Sequence, residues 1–162
     1  MKEILRNSII KELKLIKRLA TKVPAGTEDY RPKENMRSII ELLQYLSGCG
    51  TGMLRFWNSN ETEARPYLMK LREAAPKVTL ENSAEIFDNE IARVNELFDT
   101  ITEEEIATKE VMYPWGATDT LGTAIIETSI KWLTGYKMQF FLAIKVVSEE
   151  EISTPDLWRK TE

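Results

Sequence analysis

The side chains of this chain that could take part in chemistry are concentrated in two stretches, ELLQYLSGC (41–49) and SIKWLTGYKMQ (129–139). Both stretches set aromatic and polar residues among large apolar ones. The candidate site residues are Tyr45, Cys49, Ser129, Trp132, Tyr136, Lys137 and Gln139. Aromatic walls with a few polar groups are typical of small-molecule pockets. Large aromatic rings also close cavities readily, so the same residues are compatible with a filled core.

The chain contains no histidine. Histidine is the commonest metal ligand and the usual acid–base group near neutral pH. Its absence excludes Ser-His-Asp, Cys-His and His-ligated metal mechanisms. The single cysteine, Cys49, excludes an internal disulfide and a CxxC site. Without a histidine base, we expect Cys49 to be a buried and inert thiol, and we expect no metal and no cofactor.

The candidate residues fall on two predicted helices. At 100° per residue, Ser129, Trp132, Tyr136 and Gln139 share one face of the last helix. Tyr45 and Cys49 lie at the edge of the apolar face of the second helix. The spacing therefore predicts either a pocket between these helices or aromatic side chains that fill the same space. Lys137 either attracts an anionic ligand at the rim or snorkels beside an apolar helix.

Helical periodicity dominates the whole chain and indicates an all-α fold. It predicts long helices over residues 2–22, 35–57 (with a possible kink at its glycines), 83–100 and from Thr118 or Thr120 to about Val147. Short helices are predicted near residues 66–75 and after Thr102, with capping boxes at Asn82–Glu85 and Thr102–Glu105. KEVMYPWGATDT is predicted to be a loop, and no strand is predicted. These elements predict a four-helix bundle over residues 1–147, followed by a charged tail over 148–162 that Leu157 and Trp158 could anchor.

Composition and charge narrow the classes of partner. The net charge is −4, and the basic residues of the first helix lie on one face opposite its apolar face. A solvated helix face explains them, so we expect no nucleic-acid partner. No apolar run approaches the ~20 residues of a membrane span, and the first residues do not form a secretory signal. A cytoplasmic protein without membrane contact is expected.

The order of elements resembles the DinB/YfiT-like superfamily of metal-binding proteins. The resemblance rests on YRPKENMRSIIELLQYLS, SAEIFDNEIARVNELFDTITEEEI and PWGATDTLGTAIIETSIKWLTGYKMQFFLAIK, and it covers about residues 1–147. It implies an up-down-down-up four-helix bundle that forms a homodimer. The superfamily includes damage-inducible DinB-type proteins, bacillithiol transferases and mycothiol-dependent maleylpyruvate isomerases.

In the metal-binding members of that superfamily, three histidines hold a divalent ion. Their positions correspond to Tyr45, Trp132 and Tyr136 here, while Lys137 stands at an arginine position and Gln139 matches the family pattern. Tryptophan offers only an N–H donor, and a tyrosine with an ordinary pKa is a poor ligand. The resemblance therefore implies a divergent member that binds a small ligand or a protein partner without a metal. The alternative is a thiol-dependent transferase or metal-dependent hydrolase that uses a non-histidine site.

Overall fold

The computed structural model describes residues 1–159 and is mostly helical, which confirms the all-α prediction at the level of fold class. Its helices are α1 (Lys2–Ala20), α2 (Ile39–Cys49), α3 (Gly52–Trp57), α4 (Ala64–Ala74), α5 (Ser83–Thr100), α6 (Glu103–Thr108), α7 (Leu121–Ile125), α8 (Lys131–Val147) and α9 (Thr154–Trp158). A π-helical turn, Ile126–Ile130, joins α7 to α8, and strands β1 (Glu110–Met112) and β2 (Thr118–Thr120) form a hairpin. Within the described range, no helix has the length and apolar character needed to cross a membrane.

The main core lies between α1, α2, α5 and α8. Helix α1 packs along α5 and also against α8, while α2 packs against α8 and α5. The apolar face predicted for the first helix is confirmed, because its residues are fully or almost fully buried. The side chains at the centre of the core include Leu5, Ile9, Leu13, Ile16, Leu43, Phe87, Phe98 and Phe140. Each such side chain contributes ~1.5–3 kcal/mol when it leaves water, so this core supplies the main stabilisation of the fold.

The long helix predicted over residues 35–57 starts later than expected. Helix α2 begins at Ile39 because Ser38 and Glu41 form a capping box: the Ser38 hydroxyl accepts from the Glu41 N–H, and the Glu41 carboxylate accepts from the Ser38 N–H. Met36, which the periodicity placed on the apolar face, lies before this cap and is 39% exposed. The capping box therefore determines where the helix starts, although the pattern of apolar residues extends to Met36.

The same predicted helix is also interrupted, at Gly50 and Thr51, which separates α2 from α3. The interruption falls among the glycines at which a kink was expected. The carboxylate of Glu90 on α5 accepts hydrogen bonds from the N–H (3.1 Å) and the hydroxyl (2.8 Å) of Thr51. A residue from another helix therefore holds the chain at the break.

The stretch predicted to be a loop forms an antiparallel hairpin in which β1 pairs with β2. The Tyr113 N–H donates to the carbonyl of Ala117 (2.8 Å), and Gly116 adopts φ 90° in the turn, a conformation that favours glycine. Pro114 and Gly116 indicated a loop correctly at the turn. The three-residue strands are too short to show a period in the sequence, so the prediction of no strand is wrong here.

Helix capping was predicted correctly at one of two places. Thr102 and Glu105 form the expected capping box at the start of α6. Helix α5 has the predicted bounds, but the Asn82 side chain does not cap it. Asn82 instead accepts from the Thr79 N–H (2.8 Å) and donates to the Lys77 carbonyl (3.0 Å). The amide thus stabilises the preceding turn, and the Asn82–Glu85 capping box is wrong.

The last long helix ends at Val147 as predicted, and Thr120 caps its start by accepting from the Thr123 N–H. The π-helical turn inside it was not predicted. A π turn holds about one residue more than an α turn, so it changes the rotation between residues on either side.

The predicted tail continues into α9, where Leu157 is buried in the core and Trp158 is 37% exposed. Anchoring of the tail by Leu157 is thereby confirmed. The last residues of that tail, 160–162, lie outside the described residues.

Candidate functional site

A cleft of about 430 Å³ lies beside Tyr45. Of the predicted site residues, Tyr45, Cys49 and Trp132 line it. We call it the α4 cleft and define it by Tyr45, Cys49, Gly52, Leu71, Ile86 and Trp132. Its walls come from α2, α3, α4 and α5, and Trp132 of α8 also lines it. The cleft therefore does not lie between the second and last helices, where a pocket was predicted. One of its walls is α4, which the sequence predicted only as a short helix in a connection.

Two other candidates, Tyr136 and Gln139, line a second and more open cleft of about 540 Å³. Arg37 and Glu41 border both clefts. Glu41 is bound by the guanidinium of Arg31, with Nη2 2.8 Å from Oε1. The hydrogen bonds from Arg31 lower the pKa of Glu41 to about 2. Glu41 is therefore ionised at neutral pH, and its carboxylate is already hydrogen-bonded to Arg31.

The remaining candidates, Ser129 and Lys137, are fully buried and line neither cleft. Ser129 lies in the π-helical turn, whereas Trp132 and Tyr136 lie on α8 and each line one of the two clefts. Among residues 1–159 its hydroxyl has no hydrogen-bond partner. Ser129 is therefore not at the wall of either cleft, although the spacing predicted it as a pocket residue.

Lys137 faces α1 and α9 instead of a cleft rim. Its Nζ lies 2.8 Å from Oε2 of Glu12 and 4.2 Å from the centre of the Trp158 ring. The Lys137–Glu12 contact is an ion pair without the geometry of a directed hydrogen bond. Burial lowers the pKa of Lys137, and the interaction with Glu12 opposes that change. Lys137 is thus neither a rim cation nor a snorkelling side chain, because its charge is paired inside the protein.

The rings of Tyr45 and Tyr136 meet edge to face, with centroids 4.6 Å apart at 63°. Arg37 lies over both rings, with its Cζ 4.2 Å from the centre of Tyr45 and 5.3 Å from the centre of Tyr136. Burial, followed by the proximity of Cys49, raises the pKa of Tyr45, so its phenol is neutral at physiological pH. Aromatic infill thus occurs between α2 and α8, while the α4 cleft remains open on another side of Tyr45.

Cys49 is 6% exposed, and its thiol donates to the carbonyl of Tyr45 at 3.2 Å. Burial is the main cause that raises the pKa of this thiol to about 12, and the charge of Glu90 adds to it. The thiolate is the reactive form of cysteine. Cys49 therefore has the properties of an inert thiol, as expected from the sequence.

Glu90 is the most unusual residue of the cleft, and the sequence reading missed it. It is 2% exposed, and besides Thr51 it binds Arg93, whose Nη1 lies 3.0 Å from Oε2. Burial raises the pKa of Glu90, while the hydrogen bonds from Thr51 and the charge of Arg93 oppose this. A signal was present in the sequence: Glu90 lies between Phe87 and Val94 at helical spacing, on the apolar face of α5.

Arginine side chains line the α4 cleft, and the sequence reading did not single them out. They are Arg37, Arg55, Arg72 and Arg93, which come from α3, α4, α5 and the segment before α2. Arg72 lies over the Tyr45 ring, with its Cζ 5.6 Å from the ring centre. Because these residues are far apart in the chain, no local pattern joins them, and only the fold places them around one cavity.

No group of three or more His, Cys, Asp or Glu side chains that could hold a metal ion is found in residues 1–159. The positions that the resemblance equates with metal ligands carry aromatic rings, and two of these rings pack against each other. In comparisons with known proteins, no family model, curated protein or solved structure matches the chain. Its function must therefore be inferred from the geometry of the cleft.

Proposed function

We propose that this chain is a DinB-like four-helix bundle that binds a small organic ligand in the α4 cleft without a metal. The observation that carries this proposal is the cleft itself. Its volume of about 430 Å³ lies within the ~300–1,000 Å³ of typical small-molecule sites. Tyr45 and Trp132 supply aromatic surface, Leu68 and Leu71 supply apolar surface, and arginines supply a few polar groups.

The DinB-like part of the proposal is supported by the contact between Tyr45 and Tyr136. The resemblance equates these residues with metal ligands on the second and last helices, which face each other in the family. Their rings are in contact here, and Trp132, one turn before Tyr136, borders the adjacent cleft. The up-down-down-up order and the homodimer belong to the same proposal.

Binding is favoured over a thiol-dependent transfer or a metal-dependent hydrolysis by the state of the polar groups. The only thiol, that of Cys49, is buried and protonated. Both carboxylates that line the cleft, Glu41 and Glu90, are held by arginines and by backbone N–H groups. The two carboxylates therefore stabilise the wall of the cleft and are not available as nucleophiles.

Two glycines provide a matched test of the ligand site. Gly48 lines the α4 cleft and Gly135 lies on α8 away from both clefts, and a Cβ at either position would meet no heavy atom within 4 Å. In calorimetric titrations with 2-naphthoate, a probe with an apolar body, Gly48→Phe should weaken binding by about tenfold or more. Gly135→Phe should leave it unchanged. The ligand site is refuted if the wild-type protein does not bind the probe, or if both variants bind it as the wild type does.

The metal-independent part has its own measurement. Elemental analysis after dialysis at neutral pH should find no stoichiometric divalent metal, because aromatic rings occupy the ligand positions. A divalent ion retained at about one per chain would favour the metal-dependent alternative.

A further inference from the structure

We propose that the ligand of the α4 cleft carries an anionic head group, such as a carboxylate or a phosphate, which Arg37 and Arg72 hold beside Tyr45. This inference rests on the proposed function, because it names the chemistry of the ligand in the same cleft.

The carboxylates that line the cleft already have cationic partners. Glu41 accepts two hydrogen bonds from the guanidinium of Arg31. Glu90 accepts from Arg93, and its other oxygen is occupied by the backbone and hydroxyl of Thr51. Both carboxylates thus have hydrogen-bonded arginine partners of their own, and the charge of Arg37 acts on Glu41 only as a smaller effect that lowers its pKa.

Three arginines that line the cleft form no ion pair among the described residues. Within residues 1–159, no carboxylate oxygen lies within 4.0 Å of a side-chain nitrogen of Arg37, Arg55 or Arg72. This excess positive charge occurs in a chain whose net charge is −4. Cationic groups that surround a concave site attract anionic ligands and raise their local concentration.

Arg37 and Arg72 lie close to the same aromatic ring. Their Cζ atoms are 4.2 Å and 5.6 Å from the centre of Tyr45, so they are separated by no more than the sum of these distances, about 9.8 Å. Stacking on a ring uses the face of a guanidinium and leaves its N–H edges free to donate. An anionic group beside the Tyr45 ring can accept hydrogen bonds from these N–H edges, as carboxylates and phosphates do from arginine.

The rest of the cleft indicates that this anion has an apolar body. Met53, Leu68, Leu71 and Ile86 line the cavity next to the arginines, and Trp132 borders it. An inorganic ion would leave these side chains facing water. A small organic acid would cover them while its head group meets the arginines.

Two probes of nearly equal shape separate charge from shape: 2-naphthoate, an anion, and 2-naphthylmethanol, which is neutral. In calorimetric titrations of the wild-type protein, the anion should bind at least about tenfold more tightly than the alcohol, and added NaCl should weaken only the anion. Arg37→Gln and Arg72→Gln should each weaken the anion by about fivefold or more and leave the alcohol unchanged. Arg65→Gln, on α4 but outside the cleft, is the matched control and should change neither.

The outcomes distinguish this inference from the function on which it rests. Equal affinity for both probes, with both lost in Gly48→Phe, would overturn the anionic head group and leave the ligand site intact. Equal weakening of both probes by the arginine variants would also overturn it, since it would mean that the arginines only shape the wall. Failure of both probes to bind the wild-type protein would remove the ligand site and this inference together. Arg37 and Arg72 are exposed, so the Gln variants should remain folded.

Discussion

Glu90 connects the interior of the protein to the proposed ligand site. Its carboxylate holds Thr51 at the break between α2 and α3 and binds Arg93 one turn further along α5. A buried carboxylate is costly unless hydrogen bonds replace its hydration. These bonds supply that replacement, and they also determine which arginine of the cleft is neutralised. Burial at this residue therefore affects both the stability and the charge of the cleft.

The pH dependence of stability should report this buried carboxyl group. The pKa of Glu90 is raised by burial, so the folded state binds the proton more tightly than the unfolded state. Its stabilising contribution is complete below the unfolded pKa and is lost as the pH rises through the folded value. Relative to Glu90→Gln, the free energy of unfolding of the wild type should therefore fall as the pH rises from about 4.5, the ordinary value for a glutamate, through neutral pH.

The measurement is urea denaturation of both proteins across that range. Glu96→Gln, an exposed substitution on the same helix, serves as the control and should follow the wild type at every pH. A difference between wild type and Glu90→Gln that stays constant with pH would show that the carboxyl group is not perturbed by folding.

At the scale of the elements, the short helix α4 has a large part in forming the site, because it supplies one wall of the cleft. Helix α4 closes the cleft, and Gln44 holds the chain after it: its amide donates to the Pro76 carbonyl (3.2 Å) and accepts from the Val78 N–H (2.7 Å). Both polar atoms of one side chain thus fix the connection between α4 and α5. The position of this wall depends on contacts between residues more than thirty positions apart.

Close packing between α6 and α7 can be tested at a glycine. A Cβ at Gly122 would lie 2.8 Å from the carbonyl oxygen of Ile106, which is backbone and cannot rotate away. Gly122→Ala should therefore destabilise the protein by about 1–3 kcal/mol, as overpacking usually does. Gly135→Ala, on α8 with open space around it, should stabilise it by up to about 1 kcal/mol because alanine favours the helix. Urea denaturation compares them, and equal stability of the two variants would contradict the close approach.

The prediction of elements from the sequence succeeded where the information is local. Periodicity gave the correct bounds of α5 and the correct end of α8, and the capping residues Thr102 and Glu105 marked the start of α6. It failed for the hairpin, whose short strands depend on pairing across the turn. It also failed at the π-helical turn, because a change of helical register leaves no mark on the pattern of apolar residues.

For the whole molecule, the arrangement of helices leaves apolar side chains of α8 on the surface. Leu142 and Val146, one turn apart, are 52% and 66% exposed. The proposed homodimer would remove such residues from water. Sedimentation equilibrium should therefore give about twice the mass of one 18.7 kDa chain.

A charge on that face should separate the protomers. Leu142→Glu should yield the single-chain mass, because a carboxylate buried in an apolar interface is costly. Met69→Glu, at an exposed position of α4, is the control and should not change the mass. A wild-type protein that sediments only as one chain would remove the dimer from the proposal.

The sequence by itself determined the helical class of this protein, most helix bounds and the absence of histidine chemistry. These properties follow from composition, capping and periodicity, which act between near neighbours. Only the tertiary structure decided that Tyr45 and Tyr136 fill the space between two helices while a cleft opens beside them, and that Lys137 is buried against Glu12. The physical reason is that a cavity and its charge are properties of several helices together. Arg72 comes from α4 and Arg37 from the segment before α2, and only the fold brings both of them to the ring of Tyr45.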